Sequence, residues 1–274
     1  MTTIKQFAKI VYDIQKTDRW VFIGCDGEMG EGKSCFTSQL AKEIAKLHKF
    51  PFSYKNNMTY LRSELNNWID GDAEGKNRKP EYSIILADEL ISMFFKRNWY
   101  DASQIDGIEL LNKCRDRHLC VLGNIPNFWD LDSAIYPIVT FWVHINARGV
   151  AWVFQKDKNP FTTDKWNRKF NEKLMQRNKS PFKAKGFVCQ ILFDDWTPED
   201  KKDYYEVRNA KRISSEGQRE RGKSPVIRKQ RNLAIRYIYH NCKGMTCLKI
   251  KEILANTIAK GTIQDIISRR KGAK

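Results

Sequence analysis

An α/β fold with a mainly parallel sheet, followed by a small all-α domain, is predicted by three features of this sequence. The first is a short apolar strand, residues 20–23, that runs through a glycine-rich loop into an amphipathic helix, residues 35–48. The second is a pair of further apolar runs, residues 82–87 and 119–123, each ending in polar residues where a parallel sheet places its functional groups. The third is a basic C-terminal stretch with three short amphipathic helices and none of the strand pattern.

The elements follow in order. Over residues 4–16, Ile4, Phe7, Ile10, Val11 and Ile14 share one face, with Thr2 or Thr3 as the N-cap, so an amphipathic helix leads into the first strand. The stretch Gly27-Glu28-Met29-Gly30-Glu31-Gly32-Lys33-Ser34 reads G-x-x-x-x-G-K-S, and Phe36, Leu40, Ile44 and Leu47 follow at helical spacing. Strand, loop and helix in that order form a phosphate-binding loop. Glycines let backbone N–H groups turn inward around an anion, and the helix N-terminus adds partial positive charge. Lys33 reaches the β- and γ-phosphates of ATP, and the Ser34 hydroxyl ligates Mg²⁺. The nucleotide-binding set is Gly27, Glu28, Met29, Gly30, Glu31, Gly32, Lys33, Ser34 and Cys35. The fold class is therefore a P-loop NTPase.

Residues 50–54 read as a short strand, 58–69 as a helix and 71–80 as a polar surface loop. The run Ile84-Ile85-Leu86-Ala87-Asp88-Glu89 is an apolar strand ending in two acids, the Walker B pattern. Asp88 holds Mg²⁺ through water and Glu89 polarises the attacking water. Residues 103–117 read as a helix, and residues 119–123 as a buried strand with Asn124 at its C-terminal end. Asn124 stands where a polar side chain senses the γ-phosphate, or where a turn-former precedes Ile125-Pro126. Arg115 and Arg117 precede that strand, as arginine fingers for a neighbouring subunit or as cations at a helix C-terminus. Residues 139–145 and 150–154 alternate around Asn146-Ala147-Arg148-Gly149, a hairpin signature. A peripheral basic helix is expected within 159–180, a last strand at 187–193, and a helix starting at Thr197-Pro198-Glu199. The aromatics among the basic residues of 160–205 are expected in the core, with stacking on bases as the alternative.

The predicted domains are a P-loop ATPase over 1–207, a charged linker over 208–226 and a helix-turn-helix domain over 227–274. Its last helix carries Lys260, Thr262, Gln264, Arg269 and Arg270, side chains suited to phosphates and base edges. A small protein-docking module is the alternative for these three helices. Residues 201–274 hold 20 Lys and Arg against 6 Asp and Glu, which places 14 of the chain's 17 net positive charges there. That asymmetry points to a polyanionic partner, double-stranded DNA.

Composition excludes several classes. No run of 18 apolar residues exists, so no transmembrane helix is expected, and residues 1–6 lack a signal-peptide core. The 7 cysteines form no C-x-x-C pair and the 4 histidines do not cluster, which argues against a disulfide framework or a zinc site. A cytoplasmic protein with reduced thiols is expected.

The loop at Gly27 to Ser34, the strand Ile84 to Glu89 and the arginine-bearing stretch into Leu119–Asn124 resemble the additional-strand P-loop ATPases. Within them, Arg115-Asp116-Arg117-His118-Leu119-Cys120-Val121-Leu122-Gly123-Asn124, with Asp130-Leu131-Asp132, is similar to the FtsK/HerA group, closest to its zonula occludens toxin-like and viral genome-packaging branches. The resemblance spans about residues 18–145. It implies a RecA-like sheet and a homo-oligomeric ring that moves double-stranded DNA for a virus or plasmid, with capsid or replication partners undefined. The group usually has Gln at the position of Asn124, and the toxin-like branch usually carries a membrane segment. The residues around Lys260-Gly261-Thr262 resemble the recognition helix of helix-turn-helix regulators. A replication helicase or helicase loader, and an ATP-switched DNA-binding regulator or partition protein, are the rival functions.

Overall fold

The strand that enters the phosphate-binding loop lies near the middle of an eight-stranded sheet. The computed structural model describes residues 2–72, 74–90, 93–94, 109, 111, 117–178, 180–222, 232, 234–235, 237–239, 242, 245–253, 263–264 and 267. In chain order the elements are β1 (Thr2–Thr3), α1 (Ile4–Gln15), β2 (Val21–Gly27), α2 (Lys33–His48), α3 (Tyr54–Asn57), β3 (Met58–Thr59), α4 (Arg62–Asp70) and β4 (Ile84–Ala87). They continue with β5 (Cys120–Asn124), β6 (Phe141–Ala147), β7 (Val150–Gln155), α5 (Arg168–Asn178), β8 (Phe187–Leu192), α6 (Pro198–Gly222) and α7 (Cys247–Ile253).

The sheet order is β1-β8-β7-β6-β2-β5-β4-β3. Pairings from β6 through β2, β5 and β4 to β3 are parallel, as is β1 with β8. The two antiparallel pairings, β6 with β7 and β7 with β8, come from the expected hairpin and its continuation. Strand β5 lies between β2 and β4, so an additional strand separates the loop-bearing strand from the acidic one. The register Cys25↔Asn124 and Ala87↔Gly123 brings the ends of β2, β5 and β4 to one edge.

Alternation sends side chains to two cores. Val21, Ile23 and Cys25 face Phe36, Leu40 and Ile44 of α2 and Phe7 and Val11 of α1. Phe22, Ile85 and Val121 face Leu65 and Trp68 of α4 and Phe128, Leu131 and Ile135 on the opposite side. Each of these large apolar side chains contributes about 1.5–3 kcal/mol when fully buried. With helices on both faces, the central strands read as continuous apolar runs, which is why they are visible in the sequence.

Three local readings change. Residues 50–54 are not a strand; the strand is Met58–Thr59, paired with Leu86 and Ala87, preceded by the single turn α3. Ser53 caps that turn, and Asn57 Nδ2 donates to the Ile84 carbonyl (2.9 Å), so the chain is drawn to the sheet only after the turn. Helix α4 accordingly starts at Arg62. Thr3 caps α1 through a capping box with Gln6, while Thr2 and Thr3 also pair with β8 as an edge strand. Of the aromatics of 160–205, Trp166 and Tyr204 are buried, whereas Phe161 and Phe182 are exposed. The six described cysteines are free.

The chain divides into two compact units, Met1–Arg212 and Ile213–Lys274. Helix α6 takes in residues 208–222, most of the stretch read as linker. In the second unit Ile235, Ile250 and Ile263 are buried together, with Ile238, Cys247 and Ile267 packed on them. Thr246 accepts from the Lys249 amide at the start of α7 (3.3 Å). No helix among the described residues is long and apolar enough to cross a membrane.

Candidate nucleotide and metal site

The loop takes its shape from glycine. Gly27 has φ +145° and a Cβ there would meet the Ile145 carbonyl oxygen at 2.7 Å. Gly32 has φ +98° and is the N-cap of α2, which has no side-chain cap, so the first amides of a 16-residue helix remain for an anion. Glu28, Met29 and Gly30 are exposed, and Glu31 to Ser34 are half-buried. Lys33 Nζ donates to the carbonyls of Gly27 and Glu28, both at 2.7 Å, which holds its charge across the loop. The Cys35 side chain points elsewhere: its thiol meets the Asp194 carbonyl (3.5 Å) and accepts from Gln39 (3.2 Å), leaving only its backbone for a nucleotide. Burial and the Asp195 charge push that thiol up to about 11.

At the ends of β4 and β5, Asp88 and Asn124 are buried, 5% and 3% exposed. Ser34 Oγ donates to Asp88 Oδ1 (3.2 Å), and Asn124 Nδ2 donates to the same oxygen (2.7 Å) and lies 3.3 Å from Ser34 Oγ. The Thr37 hydroxyl, one turn into α2, stands within hydrogen-bond reach of Asn124 Oδ1 (3.2 Å) and of the Lys33 carbonyl (3.0 Å). Asp88 Oδ2 accepts from the Tyr60 hydroxyl (2.6 Å) and from the Tyr204 hydroxyl. Burial and the Asp88 charge hold both phenols well above the ordinary tyrosine range. These oxygens are hard donors of the kind Mg²⁺ takes, and Mg²⁺ completes its shell with phosphate and water rather than with a protein cage. Among the described residues no group of three His, Cys, Asp or Glu forms such a cage.

Glu89 follows directly, half-buried and at φ +64°. That conformation is disfavoured for a side chain by about 1–3 kcal/mol, and such residues gather at functional sites. Arg117 lies before β5, at the sheet edge away from the loop, and its guanidinium donates to the Ile69 carbonyl (2.8 Å). Within one chain it is not part of the pocket; Arg115 lies outside the described residues. So do Lys260, Thr262, Arg269 and Arg270, while Gln264 is helical and exposed.

Sequence reasoning missed Tyr60, Tyr204, Thr37 and a second buried carboxylate, Asp26. Asp26, in β2 next to Gly27, accepts from Trp142 Nε1 (2.8 Å) and the Phe128 amide (3.0 Å), and pairs with His144 Nδ1 (2.8 Å). The one signal for Asp26 was a charge inside an otherwise apolar strand.

No protein-family model matches the chain. No curated protein matches it significantly. Among solved structures, the genome-packaging NTPase B204 of Sulfolobus turreted icosahedral virus 2, in complex with ATPγS, is similar over 50% of this chain and 92% of its own, at 10% identity and a TM-score of 0.38. The N-terminal domain of zonular occludens toxin from Neisseria meningitidis is similar over 50% of this chain and 83% of its own, at 16% identity and a TM-score of 0.36. A chain of the E. coli MS115-1 HORMA:CdnC:Trip13 complex is similar over 52% of this chain and 61% of its own, at 13% identity and a TM-score of 0.36.

Proposed function

We propose that this protein is a Mg²⁺-dependent ATPase that assembles as a ring and moves double-stranded DNA. The observation that carries the ATPase reading is the contact of Ser34, Asp88 and Asn124 across three elements, at 3.2, 2.7 and 3.3 Å, beside a lysine held over a glycine loop. Lys33 and the amides at the start of α2 bind the phosphates. Ser34, whose proton goes to Asp88 (3.2 Å), would offer its oxygen to Mg²⁺, and the Asp88 carboxylate would help to hold the ion. A Mg²⁺ ion held there would supply positive charge to offset that of the phosphates. Glu89 orients the attacking water and takes its proton. Asn124, one bond from both Ser34 and Asp88, reports the γ-phosphate. Arg115 or Arg117 of one subunit would complete the site of another.

The DNA reading rests on charge: 14 of the 17 net positive charges belong to residues 201–274. The helix-turn-helix assignment rests on the order of helices that the sequence predicts, and the clustering of Ile235, Ile250 and Ile263 supports it. Lys260, Thr262, Gln264, Arg269 and Arg270 are its proposed contacts.

Steady-state ATP hydrolysis with and without duplex DNA tests both parts. Stimulation by duplex is expected, with activity abolished in Lys33→Ala, reduced at least a hundredfold in Glu89→Gln, and uncoupled from DNA in a chain ending at Gly222. Activity indifferent to any nucleic acid would remove the motor and leave an ATP switch.

A further inference from the structure

The Asp88 carboxylate has two ends with different company. Oδ1 accepts from Ser34 (3.2 Å) and Asn124 (2.7 Å), the residues of the phosphate and metal chemistry. Oδ2 accepts from Tyr60 (2.6 Å) and Tyr204, which belong to neither motif. Tyr60 follows the edge strand β3, and Tyr204 comes from α6, 116 residues along the chain. Both tyrosines are nearly inaccessible, 3% and 2% exposed, so each hydroxyl needs an acceptor inside the protein. They share one oxygen. Two phenolic donors hold Oδ2, and turning the carboxylate plane would disturb bonds at both ends at once.

We propose that Tyr60 and Tyr204 are positioning residues that occupy Oδ2 of Asp88, so that Oδ1 alone faces Ser34 and the metal that Ser34 would ligate. The inference rests on the nucleotide and metal reading above. Tyr204 also stands within hydrogen-bond reach of Ser34. Losing the phenols leaves the loop and Lys33 in place. It frees the carboxylate to rotate, so the hold on the metal weakens while the hold on the phosphates does not.

Tyr60→Phe, Tyr204→Phe and the double variant each remove only oxygen. The Tyr204 ring keeps its packing against Trp196 (4.8 Å) and Tyr54 (5.6 Å). Tyr54→Phe is the control: it belongs to the same cluster, and its buried hydroxyl has no bond to Asp88. Binding of a fluorescent, non-hydrolysable ATP analogue is measured first in EDTA and then across a Mg²⁺ titration. The expected result is an EDTA affinity within about twofold of wild type throughout. The half-saturating Mg²⁺ concentration should rise about tenfold in a single variant, the scale of one hydrogen bond to a charged group, and further in the double. Tyr54→Phe should match wild type. If Tyr60→Phe does not fold, Tyr204→Phe reads the same effect.

A double variant with native melting and circular dichroism and an unchanged Mg²⁺ requirement would overturn the proposal. An equal shift in Tyr54→Phe would do the same. A wild-type chain that binds the analogue with no regard to Mg²⁺ overturns the positioning role and leaves nucleotide binding standing. A wild-type chain that binds no analogue removes the underlying reading as well.

Discussion

Gly27 answers to two constraints at once, a φ of +145° and a carbonyl oxygen 2.7 Å from where a Cβ would sit. Gly27→Ala is therefore expected to destabilise the protein by about 1–3 kcal/mol and to weaken nucleotide binding more than tenfold. Denaturant melts and analogue binding check the two effects separately. Tyr60 and Tyr204 set a pH limit. Burial and the Asp88 charge raise their folded-state values, so on alkalinisation the unfolded chain releases these protons first. Their contribution is complete below about pH 10, the ordinary tyrosine value, and is lost above it. Melting temperature should fall above about pH 10, less steeply in Tyr60→Phe than in wild type. The placement of Lys33, Ser34 and Asp88 was legible in the sequence because one loop and one strand end fix it locally. Tyr60 and Tyr204 were not, since their meaning arises only when residues 28 and 116 positions from Asp88 are folded onto it.

Elements were legible in proportion to their length and burial. β2, β4 and β5 are covered on both faces and announce themselves as apolar runs, and α6 opens at Thr197-Pro198, with Thr197 accepting from the Asp200 amide (3.2 Å). The two-residue strands β1 and β3 have no periodicity to read. Their pairing is decided by β8 and β4, far along the chain. Thr3 illustrates a short signal with two uses, since it caps α1 through Gln6 (3.2 Å) and ends β1. Thr3→Ala should lower stability by about 1 kcal/mol, the worth of an N-cap. A shifted urea midpoint at constant slope would show it.

At the scale of the molecule, β5 between β2 and β4 lets Asn124 reach both Ser34 and Asp88, a meeting that no spacing in the sequence encodes. The concentration of charge in residues 201–274 makes a separate prediction for DNA. Log affinity should fall linearly with log salt, and the slope should approach zero in a chain ending at Gly222. Fluorescence anisotropy over a salt series measures it. Helix α6 has a consequence of its own. It pairs Asp200 with Lys42 of α2, Tyr204 with Asp88 and Lys211 with Glu64 of α4. One rod thus borders three parts of the first unit. Coupling free energy is reciprocal: if metal loading at Asp88 tightens the grip on α6, whatever steadies α6 tightens metal loading by the same factor. On that condition α6 would be a two-way gauge between the Asp88 carboxylate and the side chains that grip the helix.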